Sequence, residues 1–231
     1  MQDMALRAGS GSLEVVGVEG LGDIQAVARA CASHEEFLDD LQLTQEISGR
    51  TLLLETRYPE WRSWGGGNRY ARLDLRVEVP AGMSADVQDG SGELSLSNLG
   101  NVSLRDGSGE AVLSEIRGDL TVQDGSGELE IRGVTGFVKV DDGSGEVLVE
   151  DVGTDVEIHD SSGELEIRGV QGSVTLRDSS GEVDVRDVVG GVRVTSDGSG
   201  GIQVRNIGGD FIVERDGSGG IRYEAVGGTV D

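Results

Sequence analysis

Short runs of alternating apolar and polar residues recur along most of this 231-residue chain, with a spacing that is close to constant from residue 84 onward. In one unit Leu129, Ile131, Val134, Val138 and Val140 carry the apolar positions; Leu165, Ile167, Val170, Val174 and Leu176 hold the same places two units later. Runs such as Leu-Glu-Ile and Val-Thr-Leu alternate with period two, which predicts two short β-strands per unit, each with one buried face. An acidic, glycine-rich phrase, Asp-[Gly/Ser]-Ser-Gly, separates the pairs. It starts at Asp89, Asp106, Asp124, Asp142, Asp160, Asp178, Asp197 and Asp216, at intervals of 17, 18, 18, 18, 18, 19 and 19 residues.

A strand of three to five residues cannot bury its face alone, and a period near 18 leaves no room for a helix. The units must therefore stack. Successive coils of a single-stranded parallel β-helix (β-solenoid), an all-β fold, place equivalent aliphatics in one column and pair each strand with its counterparts above and below. Eight coils about 4.8 Å apart give a rod roughly 38 Å long. The eighth coil is expected to be cut short at Asp231, leaving a strand edge open to end-to-end self-association as the alternative to a monomer.

Residues 1–83 depart from this pattern, and we read them as the first coil or coils and the N-terminal cap; residues 84–231 form the regular repeats of the same continuous domain. AGSGSLEVVG, from Ala8, echoes the repeat. SHEEFLDDLQL predicts a short helix with Ser33 as N-cap and Glu36 completing a capping box. RTLLLETRY and YARLDLRVEVP predict two longer strands, joined by RYPEWRSWGGGNRY.

The run YARLDLRVEVPAGMSADVQDGSGELSLSNLGNVSLRDGSGE resembles the putative-adhesin family of bacterial β-strand-repeat proteins, a family of unknown function. The resemblance lies in a strand ending in Val79-Pro80-Ala81-Gly82 and in the iterated Gly-Ser-Gly-Glu units that follow. It implies a single-chain parallel β-helix and an exported location in the periplasm or at the cell surface, and it supplies no catalytic residues.

Composition limits the partners. Forty-three acids against nineteen bases give a net charge of -24, which repels nucleic acid and anionic lipid. No stretch approaches the roughly 18 apolar residues of a membrane span, and residues 1–12 lack the apolar segment of a signal peptide. The lone Cys31 rules out an intramolecular disulfide. Of the nineteen bases only Lys139 is a lysine.

Two stretches are candidate sites. The first is the repeated corner. Its aspartate is suited to accept hydrogen bonds from N–H groups two residues on, its serines to stack as a hydroxyl ladder, and its invariant fourth glycine to turn the chain. A calcium column built from Asp106, Glu110, Asp124, Glu128, Asp142, Glu146, Asp160 and Glu164 is the competing reading, since stacked carboxylates repel and calcium takes several oxygens. The corner reading is preferred, because Gly201 and Gly220 replace the glutamate in the last two copies; no cofactor is expected.

The second candidate is the RYPEWRSWGGGNRY stretch, where Tyr58, Trp61, Arg62, Trp64, Arg69 and Tyr70 gather aromatics and arginines in an acidic chain. Such residues serve binding hot spots and stack on sugars, so a surface glycan or an envelope protein is the partner this stretch fits. The competing reading, and the preferred one, is that the stretch folds over the first coil, its tryptophans plugging the open end and its arginines pairing with nearby acids. Neither His34 nor His159 sits in a metal-ligand spacing, and nothing resembles a nucleophile elbow or phosphate loop, so no enzymatic activity is expected.

Overall fold

A computed structural model describes residues 3–59 and 69–231. The N-terminal part contains β1 (Asp3–Arg7), β2 (Leu13–Val18), β3 (Gln25–Ala32), β4 (Gln42–Ser48), β5 (Thr51–Arg57) and β6 (Ala71–Pro80). The repeats begin with β7 (Ser84–Gln88) and β8 (Gly92–Ser97), followed by β9 (Val102–Asp106), β10 (Gly109–Ile116), β11 (Leu120–Asp124) and β12 (Gly127–Val134). The middle coils are β13 (Val138–Asp142), β14 (Gly145–Val152), β15 (Val156–Asp160), β16 (Gly163–Val170), β17 (Val174–Asp178) and β18 (Gly181–Val188). The last two are β19 (Val192–Ser196) with β20 (Ile202–Ile207), and β21 (Phe211–Val213) with β22 (Ile221–Val226).

Among the described residues these strands form two 11-stranded sheets, one from the odd-numbered repeat strands and one from the even-numbered. From β7 to β22 every pairing is parallel, and each strand meets its equivalent in the neighbouring coil: Gly109, Gly127, Gly145, Gly163 and Gly181 lie in register, as do Leu113, Ile131, Val149, Ile167 and Val185. The fold is thus an all-β parallel solenoid of about eight turns with about 18 residues per coil, as the periodicity requires. Position-equivalent aliphatics fill the space between the sheets in one continuous core, and Leu113, Ile131, Val149, Ile167, Val185 and Val204 are fully buried. Strands this narrow suit β-branched side chains, which pack well on a pleated surface.

The corner glycine is required twice over. Gly127 has φ 138°, a conformation L-residues avoid, and a Cβ there would sit 1.7 Å from the carbonyl oxygen of Gly109 in the coil below. Two coils touch backbone to backbone at this corner, so no side chain fits.

The N-terminal part differs from the simple stacking order. The first two strands in sequence are not the first in space: β1 and β2 lie between the coil of β5 and β6 and the coil of β7 and β8. Beyond β5 and β6, each sheet is completed by one antiparallel strand, β4 on one and β3 on the other. The chain enters in the middle of a stack, runs outward to the cap and returns.

The expected helix is a single 3-10 turn at Glu35–Phe37, and His34, not Ser33, stands at its N-cap, without a side-chain capping bond. Ser33 is otherwise engaged. Its N–H donates to the Tyr70 carbonyl at 2.9 Å, and its hydroxyl accepts from Tyr70 N–H at 3.2 Å and lies 3.0 Å from His34 Nδ1. Tertiary contact with the returning chain outcompetes the local capping box.

Candidate functional site

Strands β9, β11, β13, β15 and β17 read Val-x-Leu-x-Asp or its equivalents, with buried residues at the first, third and fifth positions. The aspartate therefore continues the inward phase of the strand. Asp106, Asp124, Asp142, Asp160 and Asp178 pair in register, one per coil, and Asp89 and Asp197 extend the column at its two ends. All seven are buried, with exposures from 8% at Asp89 to 2% at Asp178. The glutamates after the corner, Glu110, Glu128, Glu146 and Glu164, are exposed. The eight residues of the calcium reading thus separate into an inward column of aspartates and an outward column of glutamates, and among the described residues no cluster of three acids, histidines or cysteines is placed to hold a metal ion.

The turn-forming bond expected of the aspartate is found where serine replaces the second glycine: Ser162 N–H donates to Asp160 Oδ1 and Ser180 N–H to Asp178 Oδ1, both at 3.2 Å. The serine hydroxyls do not form the stacked ladder among the described residues. The corner is held instead by backbone, for example Gly127 N–H to Ser144 O at 3.0 Å and Gly143 N–H to Asp124 O at 3.0 Å. Both carboxylate oxygens of Asp89, Asp106, Asp142 and Asp197 are buried without a hydrogen-bond partner, as is one oxygen each of Asp124, Asp160 and Asp178. Burial pushes Asp106 up to about 7 and Asp142 up to about 8, and in both the neighbouring aspartates add to the rise.

The outer face of the second sheet treats carboxyl groups in the opposite way. Glu150 on β14 accepts from Arg132 Nε at 2.7 Å and from Arg168, so one carboxylate bridges the coils on both sides. Arg168 also reaches Glu166 at 3.0 Å, and Arg186 pairs with Glu166. The Arg168 and Arg132 guanidinium groups hold Glu150 down at about 2. At Arg132 and Arg168 a planar fork with several donors serves carboxylates on two coils at once, which favours arginine over lysine at these positions.

The second candidate site lies at the same corner, two coils toward the cap. In the coil of β1 and β2, Ala8 stands in the aspartate's place, and Ser10 and Gly11 align with Ser91 and Gly92. In the next coil out the corner is replaced by the connection from Tyr58 to Tyr70. Tyr58 folds back over its neighbour: its hydroxyl donates to Ser10 O at 2.8 Å and accepts from Ser10 N–H at 2.9 Å. Its ring occupies the space a Cβ on Gly9 would need, at 2.5 Å. Tyr58 is thus a corner brace.

Arg69 lies over the ring of Phe37, 5.9 Å from its centroid, and Tyr70 is 55% exposed. Beside them runs an open groove of about 770 Å³ lined by Ser10, Ser12, Arg69, Tyr70, Arg72 and Glu93, among others. Trp61, Arg62 and Trp64 lie outside the described residues. Sequence reasoning did not find Ser10, Ser12 or Glu93 as neighbours of the arginines; the echo of the repeat at Ala8 was the available signal, since it places Ser10 at a corner.

No curated protein matches the chain. Among solved structures, a protein described as a putative cell adhesion protein from Clostridium sporogenes aligns over 96% of this chain and 92% of its own, with 12% identity and a TM-score of 0.31. Residues 34–204, spanning the cap strands β4 to β6 and the repeats through β19, match the family model described as Toastrack DUF4097, and the chain belongs to that family.

Proposed function

We propose that the chain is a non-catalytic, exported interaction module of the cell envelope or surface, in which a stiff solenoid displays one binding groove beside the cap connection. The observation that carries this reading is the groove itself. It is built where the regular two-residue corner gives way to the Tyr58–Tyr70 connection, and it gathers Arg69, Tyr70 and Arg72 with the polar Ser10, Ser12 and Glu93. An exposed ring flanked by arginines and hydroxyls supplies a stacking surface and donors for sugar hydroxyls or for acidic groups of a protein. The envelope setting rests on the family resemblance.

The test is binding of the intact chain to a panel of surface glycans and envelope proteins, read by tryptophan fluorescence and calorimetry. Tyr70→Ala and Arg72→Ala should weaken a detected ligand by at least about tenfold, the effect of a hot-spot side chain, with an unchanged circular dichroism spectrum. Equal binding by wild type and both variants would overturn the assignment of the groove.

End-to-end self-association is a second reading, supported by the last coil, where Ile221 is 40% and Tyr223 56% exposed at positions that are buried in the preceding coils. Light scattering against concentration separates the two: a monomer at all concentrations removes the second reading, and an oligomer broken by Tyr223→Arg establishes it.

A further inference from the structure

The aspartate column has no place in the binding function, yet it is the most unusual chemistry in the molecule. Seven carboxyl groups, one per coil from Asp89 to Asp197, point inward in register and are at least nine-tenths buried. Carboxylates are acceptors only. A stack of ionised aspartates leaves the buried oxygens of Asp89, Asp106, Asp142 and Asp197 without a partner, at a cost no native interior sustains repeatedly. Something must lie between the coils to donate.

The surroundings narrow what that is. Among the described residues no base faces the column: on the preceding residue of each strand, Arg105, His159 and Arg177 are exposed and turned to the outer face, and Asp141 is half-buried there beside His159. Across the corner Glu93, Glu110, Glu128, Glu146, Glu164 and Glu182 are exposed. Below Asp89 the column ends at Ala8 and then Thr56, whose hydroxyl donates to Arg7 O at 3.3 Å; above Asp197 it ends at the exposed Asp216. The charged groups acting on each aspartate are thus the aspartates of the adjacent coils.

We propose that the column is an internal proton-binding site, in which neutral carboxyl groups on alternate coils each donate their one O–H to the carboxylate above or below, so that the stability of the solenoid responds to pH. Protons on Asp106, Asp142 and Asp178 place a neutral carboxyl beside each of Asp89, Asp124, Asp160 and Asp197, and their three O–H groups serve three of these four carboxylates at a time. The direction of titration agrees. Burial first, and the adjacent aspartates second, raise Asp106 and Asp178 to about 7 and Asp142 to about 8, whereas burial alone takes Asp89 to about 6.

The sign follows from linkage. Between about pH 4, where these groups titrate in the unfolded chain, and about pH 8, the folded state binds more protons, so stability falls as pH rises. The shaft is firmest in mildly acidic surroundings.

The experiment is thermal unfolding of the full chain at pH 5 and pH 8.5, for wild type and for the triple variant Asp106→Asn, Asp142→Asn, Asp178→Asn, each in EDTA and in millimolar calcium or magnesium. Asparagine keeps the shape and supplies the donor without a proton. Wild type should lose on the order of 5–10 °C in Tm between the two pH values, and the triple variant less than about half of that. An equal loss in both proteins would assign the effect to general surface repulsion and overturn the proposal. So would a rise in wild-type Tm with calcium that magnesium does not reproduce, since the column would then hold a cation. Should the triple variant fail to fold, a potentiometric difference titration of wild type decides alone: about three extra protons on the folded chain at pH 6 support the site, and none overturns it.

Discussion

Asp142 and Glu150 belong to the same coil, eight residues apart, and the fold drives their acidities in opposite directions, up to about 8 for the first and down to about 2 for the second. Each has a position-equivalent residue one strand spacing away in the coils on both sides. The difference lies in what occupies the neighbouring coils. Glu150 meets Arg132 and Arg168 on the outer face, whereas Asp142 meets Asp124 and Asp160 in the interior. A solenoid amplifies each choice, because one residue placed in a repeat becomes a column. Charges of opposite sign in adjacent coils hold one another ionised; stacked carboxylates must take up protons or repel.

The largest effect is expected from Gly127→Val, which puts a side chain where the Gly109 carbonyl already lies and removes the corner that turns Asp124 inward. No cooperative unfolding transition should remain by circular dichroism. Next, Ile131→Ala, in the fully buried aliphatic column, should cost about 2–5 kcal/mol in urea unfolding. That loss should be the same at pH 5 and pH 8.5, which separates apolar burial from charge.

The aspartate-to-asparagine triple should act only on the alkaline side, raising Tm at pH 8.5 by a few degrees, about 3 °C or more, and leaving it nearly unchanged at pH 5. The smallest effect belongs to the outer network. Glu150→Gln should lower Tm by under about 2 °C at pH 7, since its arginine partners are partly exposed and such ion pairs contribute little. Its sign in pH is opposite to that of the interior. Glu150 is held below its ordinary value, so its contribution is present above about pH 4.5 and fades as pH falls toward 2.

The shaft was legible in the sequence because its determinants are local and repeated. The period, the aliphatic positions and the fourth glycine each point to stacked coils, and the family match bears out the resemblance carried by YARLDLRVEVP and the following repeats. The cap was legible in its strands and not in their order. AGSGSLEVVG announces a corner, but nothing in ten residues says which coils lie above and below it. His34 displaced Ser33 as N-cap because Ser33 is bound to Tyr70, a contact made 37 residues away. The inward column was available in the alternation: Val138, Val140 and Asp142 share one phase, and reading the aspartate as a turn residue hid it. The arginine network was visible only as a change of residue at one aligned position, Arg132 to Glu150 to Arg168. Of the aromatic stretch, Tyr58 proves to be a brace and Tyr70 a groove residue.

The most direct test of the contrast between inner and outer carboxyls is carbon-13 NMR of the folded chain, with aspartate and glutamate carboxyl carbons labelled, followed from pH 3 to pH 9. A set of aspartate signals is expected to titrate at about 7 to 8 and to be removed by the Asp106, Asp142 and Asp178 substitutions, and a glutamate signal still ionised at pH 3 should be lost in Glu150→Gln. Aspartate signals that all titrate near 4, their ordinary value, would contradict this expectation.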